Sequence, residues 1–162
     1  YGENEVTLEE TIGRLLHDNK LTLSTAESCT GGRIASLITS VPGSSNWFMG
    51  SVVAYDNSVK TDLLGVNPET IRRHGAVSEE TVREMAEGML RLVKTDYVIA
   101  VTGIAGPDGG TPEKPVGTVW IAVASSGGVV TDKHRFADDR MVNISRSSYT
   151  ALDMLRKQII SR

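Results

Sequence analysis

The segment Tyr97–Val101, YVIAV, restricts this chain more than any other stretch. It is a near-continuous apolar run that ends at Thr102, where a glycine-rich stretch begins. A run of this kind reads as a strand buried on both faces, the habit of parallel sheets covered by helices on each side. The rest of the chain supplies the matching pieces. Thr7 to Lys20 has helical spacing, with Leu8, Ile12, Leu15 and Leu16 on one face and a capping box from Thr7 and Glu10. Leu21 to Ala26 reads as a short strand. Gly32 to Ser40 returns to helical spacing and is broken by VPGSS. Ser51 to Tyr55 reads as a second strand, Ser58 to Leu64 as a short helix, and Pro68 to His74 as another with Pro68 at a favourable first position. Ser78 caps a helix reaching Lys94, with Val82, Met85, Met89, Leu92 and Val93 expected inward. After the YVIAV strand come a loop from Gly103 to Pro115, a hairpin of Val116–Ala124 and Val129–Phe136 around SSGG, and a closing amphipathic helix from Met141 to Ile160. This order predicts a three-layer α/β/α sandwich with a mixed, mostly parallel sheet.

A length of 162 residues fits one domain spanning residues 1–162, with 40% hydrophobic and 23% charged residues, as in an ordinary globule. The formal net charge of -3 argues against general affinity for nucleic acid, which needs a basic face to displace counterions. No apolar run approaches the length of a membrane span. The acidic, polar opening YGENEVTLEE does not read as a secretory leader. Cys29 is the single cysteine, which fits a reducing cytoplasm and leaves no internal disulfide. The chain opens on Tyr1 rather than Met, so residues 1–6 are expected to be linker from a longer protein.

Three segments follow the ends of the three strands expected to be parallel: ESCTGG, YDNSVK and TGIAGPDGG. In open α/β sheets ligands bind outside those strand ends, so residues distant in sequence are expected to converge there. In ESCTGG, Gly31 and Gly32 allow close backbone approach, and Ser28 would sit near the positive end of the following helix. Two other readings of the segment stand beside that one. Ser28 or Thr30 would cap the helix, or Cys29 would be the nucleophile, although a buried small hydrophobe suits Cys29 better. A serine nucleophile needs a base. His17, His74 and His134 all lie outside the three segments, so Lys60 is the better candidate, with Tyr55 and Asn57 placed to relay or orient. TGIAGPDGG has neither the lysine of a phosphate-binding P-loop nor dinucleotide spacing, yet its glycines suit backbone contacts to a phosphate or sugar. The one cysteine and three scattered histidines match no metal-ligand spacing, so no metal site is expected.

TAESCTGG, SSNWFMGSVVAYDNSVK, HGAVSEETVREMA and TGIAGPDGGTPEKPVGTVWIAV, in that order, closely resemble the C-terminal domain of the competence/damage-inducible CinA family. That domain also occurs alone as nicotinamide-mononucleotide (NMN) deamidase. The resemblance runs from about Leu8 into the last helix and implies hydrolysis of the NMN carboxamide to nicotinic acid mononucleotide and ammonia, with no cofactor. It implies Ser28 as nucleophile, Lys60 and Tyr55 as base and proton relay, Thr102 as a substrate or oxyanion contact, and Arg140 as the phosphate holder. Substrate contacts are expected from Thr30, Gly31, Gly32, Asn57 and Gly103 as well. The partners expected are a small nucleotide, further copies of the chain in a homo-oligomer, and an N-terminal CinA domain in a full-length protein.

Two positions depart from the family pattern. Asp138 stands where Gly-Asp-Arg has glycine, and Ile144 stands where a second arginine is common, with Arg146 as the nearest replacement. Those departures favour a second reading, a non-catalytic nucleotide-binding or interaction module of a CinA protein. Lys60 and Tyr55 favour the enzyme, because binding alone needs no base beside Ser28.

Overall fold

In a computed structural model of the chain, which describes residues 5–162, one five-stranded sheet lies between two helical layers. The elements run α1 (Leu8–Asp18), β1 (Leu23–Glu27), α2 (Arg33–Thr39), a 3-10 turn (Ser44–Asn46), β2 (Phe48–Val53), α3 (Asn57–Asp62), α4 (Pro68–His74), α5 (Glu79–Val93), β3 (Tyr97–Gly103), β4 (Thr118–Ser125), β5 (Gly128–Arg135) and α6 (Arg140–Ile160). The sheet order is β2-β1-β3-β4-β5. β1 pairs in parallel with both β2 and β3, and β4 runs antiparallel to β3 and β5. This is the mixed, mostly parallel α/β sandwich expected. The first four positions of the linker expected over residues 1–6 lie outside the described residues.

The alternation of β3 explains both layers. Tyr97, Ile99 and Val101 face the layer of α1, α2 and α6, where Ile12, Leu16, Ile34, Ile38, Leu152 and Leu155 are buried. Val98 and Ala100 face the opposite layer, where α5 places Val82, Met85, Ala86 and Met89. The sheet residues on that second side are small, with Ala26, Ala100, Ala122 and Ala124 all fully buried, so α5 can lie close to the strands. α5 itself passes the α3–α4 connection so closely that a Cβ at Gly88 would lie 1.7 Å from the Leu64 carbonyl oxygen.

Two strand starts and one expected core residue differ from the sequence reading in ways that bear on the site or the core, each for a local reason. β2 spans Phe48–Val53 rather than Ser51–Tyr55, because it pairs in parallel with the whole of β1, from Leu23↔Phe48 to Glu27↔Val53. Tyr55 is thereby released from the sheet. β4 starts at Thr118 rather than Val116, because Gly117 turns at φ 90° and its N–H donates to the Ile104 carbonyl. Leu92, expected inward, is 48% exposed, because the buried stripe of α5 runs through residues 82, 85, 86 and 89 and passes it by.

From β1 the chain moves to one side, into β2, and from β3 it moves to the other, into β4. The crevice between the C-terminal ends of β1 and β3 is therefore the switch point where an open α/β sheet receives ligands.

Candidate active site

Ser28 follows β1 directly, and its N–H donates to the Val101 carbonyl of β3 at 3.0 Å. Its neighbour across β2 is set by the same ladder: Ala54 N–H donates to the Glu27 carbonyl at 2.7 Å. After Ala54 the chain turns into α3, whose N-cap is Asp56; the Asp56 carboxylate accepts from Ser58 N–H at 3.0 Å and Ser58 Oγ at 2.6 Å. One turn on, Lys60 points back beneath the strand ends. Its Nζ donates to Ser28 Oγ at 3.0 Å, Ala54 O at 2.7 Å and Tyr55 O at 3.2 Å.

This lysine is only 1% exposed and has no carboxylate partner within ion-pair distance among the described residues. Burial pushes its ammonium below the ordinary lysine value, and the nearby Asp56 carboxylate only partly opposes the shift. A neutral amine here has two N–H bonds for the two backbone carbonyls and a lone pair left for the Ser28 hydroxyl. The arrangement is that of a nucleophile with its base. Cys29 is a poor competitor. Its thiol is 7% exposed and burial pushes it up to about 12, so the thiolate is scarce at neutral pH.

The expectation that Ser28 or Thr30 caps α2 is corrected by Glu27, a residue the sequence reading passed over. The α2 N-cap is Gly32, at φ 96° and with no side chain to give. The fully buried Glu27 carboxylate takes that part instead, accepting from Ile34 N–H at 2.9 Å and Ala35 N–H at 3.0 Å. Thr30 Oγ donates to it at 2.7 Å and Ser51 Oγ at 3.4 Å. A buried carboxylate is tolerable only with donors around it, and these four satisfy it without a cation. Its one signal in the sequence is an acidic residue closing an otherwise neutral strand. Asn143, from α6, was missed as well. Its amide donates to Ala105 O and Ala137 O and its oxygen accepts from Ala137 N–H, tying the third segment to the start of α6.

A cleft of about 280 Å³ lies at this point, lined by Ser28, Tyr55, Asn57, Lys60, Thr102, Gly103 and Arg140 among others. All three segments therefore meet. Thr102 lies against the α4–α5 connection and gives its hydroxyl proton to Ala76 O at 2.8 Å, so it offers the cleft an acceptor. Gly103 is required by packing: a Cβ there would meet Val119 Cγ2 at 2.7 Å and Cys29 Sγ at 3.0 Å. Arg140 opens α6, and its guanidinium donates to Gly106 O at 2.6 Å and to Tyr55 Oη at 2.9 Å. Tyr55, 60% exposed, thus keeps its own phenolic proton to donate.

Thr30, Gly31 and Gly32 line an adjoining groove of about 410 Å³, shared with Arg33, Tyr55, Arg140, Met141 and Ile144. Arg146 is exposed and lines neither space, and the Asp138 carboxylate is taken by Arg135 at 3.3 Å. His17, His74 and His134 all lie outside the cleft. Larger cavities, of about 390 Å³ beside α1 and about 630 Å³ at the other end of the sheet, hold neither Ser28 nor Lys60. Among the described residues no group of three His, Cys, Asp or Glu side chains is placed to hold a metal ion, and no helix is long and apolar enough to cross a membrane.

Comparison with known proteins matches residues 5–159 to the family model of the CinA C-terminal domain. A CinA-like protein of Thermotoga maritima is 49% identical over 162 residues, which is 100% of this chain and 40% of that protein. The CinA-like protein of Endomicrobium trichonymphae is 51% identical over the same length, covering 38% of that protein. The chain thus spans about 40% of the length of the curated relatives it matches. Among solved structures, a competence-damaged protein (CinA) superfamily protein from Klebsiella pneumoniae superposes with a TM-score of 0.93 at 34% identity, covering 99% of this chain and 100% of the other. A competence/damage inducible protein from Agrobacterium tumefaciens superposes with a TM-score of 0.87 at 40% identity, covering 97% and 98%.

Proposed function

The chain belongs to the CinA C-terminal domain family, and from that premise we propose that it is an amidohydrolase that converts NMN and water to nicotinic acid mononucleotide and ammonia. The observation that carries the reading is the contact of Lys60 Nζ with Ser28 Oγ at 3.0 Å in a buried setting that disfavours the ammonium. An amine disfavoured as ammonium and held at hydrogen-bond distance from a serine hydroxyl is what a general base for that hydroxyl requires, and binding alone does not call for it.

In the first step Ser28 Oγ attacks the carboxamide carbon while Lys60 Nζ takes the hydroxyl proton. The carbonyls of Ala54 and Tyr55 orient the amine for that transfer. The negative oxygen of the tetrahedral intermediate needs donors, and the Cys29 and Thr30 N–H groups give none of their bonds to carbonyls among the described residues. Collapse breaks the C–N bond. The departing nitrogen takes the proton that Lys60 accepted from Ser28, directly or relayed through the Tyr55 phenol, which Arg140 holds at the cleft, so Lys60 is neutral again. Ammonia leaves an ester on Ser28. Water, activated by the neutral Lys60, hydrolyses the ester and frees nicotinic acid mononucleotide. Arg140 contributes charge at the phosphate side of the cleft, and Asp138 lines neither the cleft nor the adjoining groove. The cell compartment suited to this substrate is the cytoplasm, and a homo-oligomer carried within a longer CinA chain is the assembly we propose.

The decisive assay is ammonia release from NMN by the purified domain, coupled to chromatographic detection of the acid product. Turnover that disappears in Ser28→Ala supports the proposal. Tight NMN binding with no ammonia from wild type at any pH between 6 and 10 would leave the non-catalytic module as the reading.

A further inference from the structure

We infer that the groove between α2 and α6 receives the phosphate monoester of the substrate, and that Arg33 holds that phosphate together with Arg140. This rests on the deamidase reading of the adjoining cleft, and it assigns Arg33, which no sequence motif singled out.

The groove and the catalytic cleft share Cys29, Tyr55 and Arg140 as lining residues, so one ligand can occupy both. With the carboxamide at Ser28, the 410 Å³ groove is the space that adjoins the 280 Å³ cleft at Tyr55 and Arg140 and is open to the rest of a mononucleotide. The charge of the groove is one-sided. Its lining carries the guanidinium groups of Arg33 and Arg140 and no carboxylate. The two arginines differ in what they are free to do. Arg140 already spends one N–H on Gly106 O and one on Tyr55 Oη, and so holds the shape of the site. Arg33, the first residue of α2, gives its side chain to no acceptor and pairs with no carboxylate among the described residues. Its five donors are available to a dianion, and a planar fork matches phosphate oxygens in pairs. Ile144, from α6, lines the same groove and brings no charge to it, so an arginine introduced there would add a cation to the same space.

The test uses wild type, Arg33→Ala, Arg33→Ala with Ile144→Arg, and Arg146→Ala as a control for loss of an exposed charge outside both spaces. Ammonia release is measured from NMN and from nicotinamide riboside, which lacks the phosphate. Losing one charge-assisted phosphate contact corresponds to an increase of about ten- to a hundredfold in KM. The expected result is such an increase for NMN in Arg33→Ala, with kcat within about twofold, a much smaller difference between the two proteins on nicotinamide riboside, and recovery of most of the NMN loss when Ile144→Arg is added. An NMN KM in Arg33→Ala equal to that of the Arg146→Ala control overturns the inference while leaving the deamidase reading standing. Calorimetric binding of ribose 5-phosphate and of inorganic phosphate separates the two in the other direction. Ribose 5-phosphate that binds wild type and is weakened tenfold or more by Arg33→Ala supports the groove even if no ammonia is released from NMN. Equal affinity in the two proteins overturns it, and so does inorganic phosphate that binds as tightly as the sugar phosphate, since the groove would then hold a free anion.

Discussion

Replacing Gly88 by alanine tests whether the close passage of α5 over the α3–α4 connection sets the position of the base. In the middle of an ordinary helix this change stabilises by about 0.5–1 kcal/mol, because glycine loses more freedom on folding. Gly88 lies mid-helix in α5 and is buried. An added Cβ would be 1.7 Å from Leu64 O, 2.7 Å from Leu64 C and 3.2 Å from Leu64 Cα. Reaching even a tight 3.0 Å from the oxygen needs the two backbones to part by about 1.3 Å. No side-chain rotation relieves a contact with backbone, so the cost falls at the upper end of the overpacking range, about 3 kcal/mol. After the propensity gain of at most about 1 kcal/mol the net loss is about 2 kcal/mol, or about 4–8 °C in Tm for a domain of this size. The displaced segment is tied to the site: Val66 N–H donates to the Lys60 carbonyl, and Leu64 N–H to that of Val59. Gly88→Ala is therefore expected to lower kcat along with Tm, read by calorimetry and by ammonia release on the same sample. An unchanged or raised Tm would refute the packing argument. A lowered Tm with full kcat would refute the link from Leu64 to Lys60.

Other perturbations separate the roles of the cleft residues. Ser28→Ala is expected to abolish ammonia release and Cys29→Ser to retain most of it, because a thiol pushed up to about 12 is not the working nucleophile; the opposite pattern would reverse the assignment. Lys60→Arg is expected to be as inactive as Lys60→Ala in steady-state turnover, since guanidinium does not give up its proton, and substantial turnover in Lys60→Arg would make Lys60 an electrostatic residue. Because burial lowers the Lys60 ammonium, the ascending limb of the wild-type kcat/KM profile is expected below the ordinary lysine value. Asp56→Asn keeps an N-cap but removes an anion that favours the ammonium, so that limb is expected to move to lower pH, and a move to higher pH would contradict the assigned base.

Periodicity carried the architecture, because the buried stripes of α1 and α5 and the two-faced run of β3 are local consequences of one continuous core. Most of the candidate site was also legible. Ser28, Tyr55, Lys60, Thr102 and Arg140 do share one cleft, since each follows a strand end or opens the last helix. What escaped the sequence is what depends on partners far along the chain. Glu27 looks like the last polar residue of a strand until the donors of Thr30, Ile34, Ala35 and Ser51 surround it. Asn143 looks like one more polar residue on a helix until it ties Ala105 to Ala137. The exposure of Leu92 was illegible for a related reason: its spacing permits burial, and only the path of α5 over the sheet decides which apolar side faces inward.

The nucleophile and its base are 32 residues apart along the chain, yet the last rung of the β1–β2 ladder relates them directly: Glu27 O, one residue before Ser28, to Ala54 N–H, one residue before the YDNSVK segment that bears Lys60. Positional error between the two groups therefore does not accumulate along the intervening path through α2, the 3-10 turn and β2. It is confined to one hydrogen bond at the start and one turn of α3 at the end. The connecting path and the chemical part are in that sense mechanically insulated from each other, even though the first lies between the two halves of the second.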